Sequence, residues 1–199
     1  AFYPNKQITS GEGGMVLTDD KRTAELCQSM TNQGRKQGKD KWLGHVRLGY
    51  NYRMTEMQAA LGLAQLKRLP EMLKKRAAAA AFYSDLLSQE KRVILPNPGP
   101  GVKRSWFVYV ITLDSRFTRS DRDAIVRLMV KQGVRCGIYF EPIHLQPFYR
   151  RAFGFKQGYL PRTEWVGDRT IALPFSSVLK PQRQARVVKL LRESIRQFS

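Results

Sequence analysis

Residues 2–20 read FYPNKQITSGEGGMVLTDD and carry the clearest indication of the fold. Lys6 lies in a segment rich in Pro, Gly, Asn and Ser, which predicts a loop or turn. The apolar residues 15–18 predict a short buried strand, and Asp20 predicts the start of a helix. A lysine amine reacts with a carbonyl to form a Schiff base when it is unprotonated and held in place. A tight loop against a strand is one way to hold Lys6, although it is one of 35 basic residues.

Other chemistries have weaker signals in the sequence. Gly11 to Gly14 are not followed by Gly-Lys-Ser/Thr, so they are not a P-loop, and they lack the third glycine of a dinucleotide fingerprint. His45 and His144 have no metal-ligand spacing with either cysteine, so we predict no metal site. No Ser or Cys lies in a recognisable nucleophile elbow.

The first half of the chain predicts helices joined by a long irregular crossing. Residues 32–48 are polar and contain several glycines, which is typical of a functional loop. Thr55 and Gln58 form the pattern of a capping box at the start of a helix. We expect Pro70 to break or kink this helix and a second, alanine-rich helix to follow over residues 71–87.

The second half predicts a small α/β domain after a Pro- and Gly-rich loop at residues 96–101. Strands are predicted at residues 106–113, 134–140 and 170–173. Ser120 and Asp123 predict a helix start, Gly133 its end, and Pro181 the start of a final helix. The segment between Pro142 and Pro161 is predicted to be irregular.

The net charge is the abnormal feature of the composition. Lys and Arg number 35 against 16 Asp and Glu, giving a formal net charge of +19. Such an excess of positive charge makes binding to nucleic acid or to an anionic surface a candidate function. The basic residues are scattered, however, and solvated helical surfaces give the same composition, so we consider nucleic acid an unlikely partner. A missing acidic partner segment would also explain the charge.

The apolar residues predict a folded, soluble protein. They make up 42% of the chain, and no apolar run is long enough for a membrane span. Residues 1–4 do not resemble a signal peptide. Cys27 and Cys136 have no partner motif, so we predict reduced thiols and a cytoplasmic protein.

Residues 2–20 closely resemble the lysine segment of the DegT/DnrJ/EryC1/StrS family of pyridoxal-phosphate-dependent sugar aminotransferases. Further matches follow in the family's order over essentially the whole chain. They are LGYNYRMTEMQAA at 48–60, YFEPIHLQPFY at 139–149, LPRTE at 160–164 and LPF at 173–175. Several separate motifs would have to coincide by chance, so the resemblance is specific for the family and unspecific for the substrate.

The resemblance implies an α/β fold, the C-terminal portion of a fold type I pyridoxal-phosphate-dependent transferase. Residues 1–95 would be the end of the cofactor-binding large domain with interdomain helices, and residues 96–199 the small C-terminal α/β domain. The implied activity is transamination of a nucleotide-linked keto-sugar, with an amino acid, glutamate, as the donor. The implied cofactor is pyridoxal 5'-phosphate, and the implied working form is a homodimer with shared active sites.

The family's site residues map onto three positions. Lys6 matches the lysine that holds the cofactor as a Schiff base and acts as acid and base. Asn51 matches the asparagine that reaches the cofactor phosphate of the other subunit, and its alternative is a turn asparagine between packed tyrosines. His144 matches a histidine near the mouth of the site that contacts the sugar nucleotide, and its alternative is a structural loop histidine.

Two departures from the family pattern affect the expected activity. Ala1 stands where the family often has a serine that binds the cofactor phosphate. The family's other cofactor groups lie well before the lysine, whereas five residues precede Lys6 here. We therefore expect this chain alone to be an incomplete, inactive portion, with residues 1–90 poorly self-sufficient and residues 100–199 compact. The alternative function is a non-catalytic fragment or degenerate copy that dimerises or binds nucleic acid.

Overall fold

The structure is a computed structural model that describes residues 1–36 and 44–198. Part of the predicted crossing at residues 32–48 therefore lies outside the described residues. The chain packs as two compact units, Ala1–Pro70 and Glu71–Ser199. This division precedes the predicted boundary near residue 95, and the assignment of residues 1–95 and 96–199 to the two family domains stays a prediction.

Two helices of the first unit begin where the sequence predicts. Helix α1, Lys21–Thr31, is capped by Asp20, whose carboxylate accepts the Thr23 N–H at 2.8 Å. Helix α2, Glu56–Leu87, begins after Thr55. The Thr55 N–H donates to Gln58 Oε1 at 3.0 Å and the Gln58 N–H to Thr55 Oγ1 at 3.3 Å, which confirms the capping box.

The predicted strand at residues 15–18 is wrong. These residues have no regular structure, and Met15, Val16 and Leu17 are 67%, 67% and 85% exposed. A strand needs a neighbour to pair its backbone groups. Within the described ranges no ladder or bridge involves residues 15–18, so the apolar pattern finds neither a partner strand nor a core.

The predicted break at Pro70, with a separate helix over residues 71–87, is also wrong, because helix α2 continues through Pro70. A proline removes one helical hydrogen bond, but the residues around it, mostly Leu, Lys, Arg, Met and Ala, favour helix. Beyond Pro70 the helix is anchored by packing, since Ala80, Tyr83 and Leu87 are buried.

The second unit contains a three-stranded antiparallel sheet in the order β1-β2-β3. The strands are β1 at Val93–Ile94, β2 at Tyr109–Leu113 and β3 at Thr170–Leu173. Tyr109 pairs with Leu173 and Thr112 with Thr170. Alternate residues of β2 are buried and all of β3 is buried, so the sheet lies within the core. The predicted strand at residues 170–173 is confirmed, and β2 begins at Tyr109 rather than Trp106.

Four helices complete the second unit. They are α3 at Arg119–Lys131, α4 at Pro147–Phe153, α5 at Pro161–Arg169 and α6 at Pro181–Ile195. The hydrophobic core joins the second half of helix α2, the sheet, and helices α3 and α6. Within it the rings of Tyr83 and Tyr109 stack at 5.0 Å, and the Tyr83 hydroxyl donates to the Pro174 carbonyl at 2.9 Å.

Three predictions for the second unit need correction. Residues 134–140 make only one isolated bridge, Gly137 with Ala172, rather than a strand. Helix α3 is capped by Thr118 and not by Ser120, because Thr118 lies directly after the buried Phe117, which fixes the entry of the chain. The segment predicted to be irregular contains a 3₁₀ turn at Ile143–Leu145 and helices α4 and α5, each starting with a proline.

Candidate active site

Lys6 lies in a loop that the backbone closes at both ends. The Lys6 N–H donates to the Tyr3 carbonyl at 3.0 Å, which forms a turn around Pro4 and Asn5. The Phe2 N–H donates to the Gly13 carbonyl at 2.9 Å, and the Phe2 carbonyl accepts the Ser10 N–H at 3.1 Å. The loop therefore holds the Cα of Lys6 at a fixed position while its side chain stays half-buried.

Side chains of helix α2 hold the same loop. Gln65 Oε1 accepts the Thr9 N–H at 3.0 Å, and Gln58 Nε2 donates to the Glu12 carbonyl at 3.3 Å. Gly13 is favoured here, because its φ is +151° and a Cβ there would lie 2.8 Å from Oγ of the buried Ser10. The sequence motif thus folds as a lysine loop attached to the first half of helix α2.

Asn51 lies on a segment that runs along the end of helix α1. The Tyr50 N–H donates to the Met30 carbonyl at 2.6 Å, and the Tyr52 N–H donates to the Thr31 carbonyl at 2.9 Å. The Asn51 side chain is exposed. The rings of Tyr50 and Tyr52 stack on each other at 4.9 Å. Asn51 is therefore placed by the backbone on either side of it.

Arg53 orients the Asn51 side chain, a role that sequence reasoning missed. Its Nε donates to Asn51 Oδ1 at 3.0 Å, and its Nη1 donates to Asn32 Oδ1 at 3.2 Å. The amide nitrogen of Asn51 makes no hydrogen bond to the described residues. It is therefore oriented by Arg53 and remains able to donate to a ligand. In the sequence, the position of Arg53 two residues after Asn51 was the feature that could have predicted this contact.

A pair of glycines brings this segment against the end of helix α1. A Cβ on Gly34 would lie 1.8 Å from the Arg47 carbonyl oxygen, and one on Gly49 would lie 2.0 Å from the Gly34 nitrogen. Gly34 also has a φ of +71°. Only glycine allows the two backbones to approach this closely. In the sequence, Gly34 within the irregular crossing and Gly49 directly after it were the features that could have predicted this close approach.

An open cleft of about 840 Å³ lies in the first unit. Ala1 and Gly13, near the two ends of the lysine loop, line it together with Thr31, Tyr52 and Arg53. A guanidinium and backbone N–H groups suit a phosphate, and a lysine amine suits an aldehyde. Arg53 is among the residues that line the cleft, whereas Lys6 and Asn51 are not. The chemistry of the Lys6 amine and the Arg53 guanidinium fits the aldehyde and the phosphate of pyridoxal phosphate.

His144 belongs to the second unit and lies in the 3₁₀ turn Ile143–Leu145. Its side chain is 5% exposed, and its Nε2 lies 2.9 Å from Glu164 Oε1. Glu164 also accepts the Gly158 N–H, at 2.8 Å to Oε2, and the Leu160 N–H at 3.2 Å. These donors, the Gly158 N–H first and His144 second, lower the pKa of Glu164 below its usual value.

Across residues 1–36 and 44–198, no three His, Cys, Asp or Glu side chains group as metal ligands. In the same ranges no helix has the length and apolarity that a membrane crossing requires. Cys27 and Cys136 are free thiols, and burial raises the pKa of Cys136 to about 12.

Comparison with known proteins identifies related sequences along most of the chain. The model of the DegT/DnrJ/EryC1/StrS aminotransferase family matches residues 1–192. The uncharacterized protein MJ1066 of Methanocaldococcus jannaschii is 35% identical over 182 residues, covering 87% of this chain and 47% of that protein. The spore coat polysaccharide biosynthesis protein SpsC of Bacillus subtilis is 30% identical over 207 residues, covering 98% and 53%. The chain thus spans about half the length of these curated relatives.

Solved structures agree with the sequence comparison. The aminotransferase PseC of Helicobacter pylori, involved in the biosynthesis of pseudoaminic acid, has a TM-score of 0.88 and 26% identity, covering 96% of this chain and 51% of that one. A DegT DnrJ EryC1 StrS aminotransferase from Brucella abortus has a TM-score of 0.81 and 27% identity, covering 96% and 49%. The predicted fold class, an α/β C-terminal portion of a fold type I transferase, is confirmed.

The comparisons also bear on the enzyme class and the cofactor. A putative sugar aminotransferase of Streptococcus pneumoniae, similar in fold at 20% identity and a TM-score of 0.88, was solved in a PLP-form. For the family, the expected class and cofactor, an aminotransferase and pyridoxal 5'-phosphate, are confirmed. With the family model matched over residues 1–192, the chain belongs to the DegT/DnrJ/EryC1/StrS aminotransferase family.

Proposed function

We propose that this chain is part of a pyridoxal-phosphate-dependent aminotransferase that converts a nucleotide-linked keto-sugar to an amino-sugar, with glutamate as the nitrogen donor. The observation that carries this proposal is Lys6, which occupies the family's lysine motif and lies in a loop fixed to helix α2. The names of SpsC and PseC, which refer to polysaccharide and pseudoaminic acid biosynthesis, support a sugar acceptor.

Lys6 supplies the amine and the proton transfer in this proposal. Pyridoxal phosphate, when bound, provides the electron sink that makes the donor's Cα proton acidic. Lys6 Nζ would hold the cofactor and then accept the proton from the donor's Cα. The closed turn from Tyr3 to Lys6 keeps the Lys6 backbone in place during this transfer.

Asn51 and Arg53 supply the polar groups for the cofactor phosphate. The Asn51 amide nitrogen would donate to a phosphate oxygen, and Arg53 holds that amide in orientation through Asn51 Oδ1. The resemblance places this contact across a homodimer interface, so two copies would share each active site. Cys27 and Cys136 are free thiols, which supports a cytoplasmic location for this enzyme.

The test uses the complete protein that contains this chain. Borohydride reduction in the presence of pyridoxal phosphate should place a pyridoxyl group on the peptide that contains Lys6, as seen by mass spectrometry. Lys6→Ala should lose this label and lower kcat at least about 100-fold, whereas the control Lys36→Ala should keep both. A label on another lysine, or full activity of Lys6→Ala, would overturn the proposal.

A second candidate function rests on the charge of the second unit. Glu71–Ser199 contains 24 Lys and Arg against ten Asp and Glu, so this unit carries +14 of the net +19. Exposed cations lie on two packed helices, and Arg186 of α6 donates to the Gln132 carbonyl beyond the end of α3 at 3.2 Å. The exposed cations of these helices are Arg119, which pairs with Glu141, and Arg127, Lys131, Arg183, Arg186 and Lys189. Such a face suits a nucleic-acid backbone.

Salt dependence tests this second candidate. Binding of double-stranded DNA to the complete protein should weaken steeply between about 50 and 200 mM salt, because counterions are released as phosphates are neutralised. The double variant Lys131→Glu, Arg183→Glu should reduce the salt slope, whereas the control variant Lys21→Glu, on helix α1, should not. Absence of binding at low salt removes this candidate.

A further inference from the structure

We propose that Glu164 is a positioning residue that sets the protonation pattern and orientation of His144 toward the sugar substrate. This inference rests on the proposed function, in which His144 contacts the sugar nucleotide. Neither the family resemblance nor the sequence pattern assigned a role to Glu164 beyond its place in the LPRTE motif.

The geometry places Glu164 at the centre of a small hydrogen-bond network. The side chains of His144 and Glu164 are only 5% and 13% exposed, and their Nε2 and Oε1 atoms lie 2.9 Å apart. The Gly158 N–H donates to both carboxylate oxygens, at 2.9 and 2.8 Å, and the Leu160 N–H donates at 3.2 Å. One carboxylate therefore ties His144 to a turn that lies more than a dozen residues further along the chain.

The chemistry of these donors fixes the state of the histidine ring. An ionised carboxylate only accepts hydrogen bonds, and the three N–H contacts on Glu164 favour its ionised form. His144 Nε2 must then carry a proton, which leaves Nδ1 as the acceptor of the neutral ring. The edge of the ring also lies against Phe155, with centroids 6.1 Å apart and planes at 86°. With Nε2 held by Glu164, Nδ1 is the ring atom that would accept a hydrogen bond from a sugar hydroxyl in the proposed function.

The alternative role for Glu164 is that of a loop anchor alone. Its bonds to Gly158 and Leu160 would hold the turn whether or not His144 were present. The two roles predict different results when His144 is removed. A positioning residue then loses its effect on substrate binding, whereas a loop anchor keeps it.

The first experiment reads the ring directly in the complete protein. Nitrogen-15 NMR of the histidine rings, with the His144 signal identified by its loss in His144→Gln, should show Nε2 protonated and Nδ1 unprotonated in the neutral ring. Glu164→Gln should convert this signal to a mixture of both tautomers. The control Glu141→Gln, which removes an exposed partner of Arg119, should leave it unchanged. An unchanged His144 signal in Glu164→Gln overturns the proposal.

The second experiment is a kinetic cycle with the keto-sugar substrate. Glu164→Gln should raise KM for the sugar about tenfold, the size of one hydrogen bond to a charged group, with kcat within about twofold. KM for the amino donor should not change, and Glu164→Gln should add nothing in a His144→Gln background. An additive effect means a loop anchor and contradicts the inference. If the unmodified protein has no transaminase activity, the proposed function fails, while the NMR result still decides the relation between Glu164 and His144.

Discussion

The two compact units, Ala1–Pro70 and Glu71–Ser199, differ in what they bury. Every buried hydrophobic side chain of the described residues lies between Ala79 and Ile195, around the sheet and helices α3 and α6. In residues 1–36 and 44–70, the buried residues are Ser10, Ser29 and Gly34. The first unit is thus held by hydrogen bonds and close backbone contacts, whereas the second is held by a hydrophobic core.

The site residues of the two units are therefore positioned in different ways. Lys6 and Asn51 are placed by backbone hydrogen bonds to neighbouring loops and helices, in a unit whose described residues include no buried hydrophobic side chain. Apolar side chains of the first unit are instead exposed, among them Leu48 at 81% and Met57 at 83%. An exposed apolar surface of this kind marks a contact surface. We therefore expect the first unit to gain its stability within a larger assembly, such as the proposed homodimer.

The largest expected effect sharpens this contrast with matched leucine substitutions in the isolated chain. Leu191 is fully buried in helix α6, and Leu63 is 61% exposed in helix α2. Leu191→Ala should lower the free energy of unfolding by about 3 kcal/mol, because it leaves a cavity in the core. Leu63→Ala should change it by less than about 0.5 kcal/mol. Urea denaturation followed by circular dichroism measures both, and equal losses would contradict the contrast.

Local signals in the sequence predicted the helix starts and the lysine loop. The capping residues Asp20 and Thr55 act within one turn of the chain, so their patterns are sufficient to place α1 and α2. Pro147 and Pro161 carry a similar local signal, because proline favours the first turn of a helix although it disfavours the interior, and helices α4 and α5 begin at these two residues.

Non-local contacts explain the wrong predictions. Residues 15–18 and 134–140 have strand-like composition, but a strand exists only where another strand pairs with it, and pairing depends on distant residues. The contact of Glu164 with His144 and the crossing of Gly34 and Gly49 likewise join positions far apart in sequence. The family resemblance gave candidate site residues, and only the structure placed the groups that hold them.

A glycine substitution tests the hydrogen-bonded unit with the next largest effect. Gly34→Ala would place a Cβ against the Arg47 carbonyl at a φ of +71°, so the segment around Asn51 must move. We expect a loss of about 2 kcal/mol from strain at this position. Hydrogen exchange at the Tyr50 and Tyr52 amides, which donate to helix α1, should accelerate.

The control for this substitution is Gly14→Ala. A Cβ added to Gly14 would have no heavy atom within 4 Å, and the φ of Gly14 is not positive, so this substitution should leave both amides protected. Protection that is unchanged in Gly34→Ala would show that the close approach of the two backbones does not position Asn51.

The smallest expected effect concerns ion pairs in the two units. Glu90 Oε1 lies 2.7 Å from Arg92 Nε, and the Glu90 side chain is 8% exposed. The hydrogen bond from Arg92 is the main cause that lowers the pKa of Glu90 below its ordinary 4.5. Glu90→Gln should therefore lower the free energy of unfolding by about 1 kcal/mol at pH 7. Urea denaturation at several pH values measures this loss.

The sign of the pH dependence follows from the lowered pKa. A carboxyl that is more acidic in the folded chain stabilises the fold above its unfolded pKa, and this contribution is lost as pH falls through the folded pKa. The difference between Glu90→Gln and the unmodified chain should therefore shrink below pH 4.5. In the first unit, Lys21 and Glu25 lie 4.0 Å apart and are 90% and 55% exposed, so Glu25→Gln should have no measurable effect at any pH. Equal effects of the two substitutions would mean that burial in the second unit does not strengthen its ion pairs.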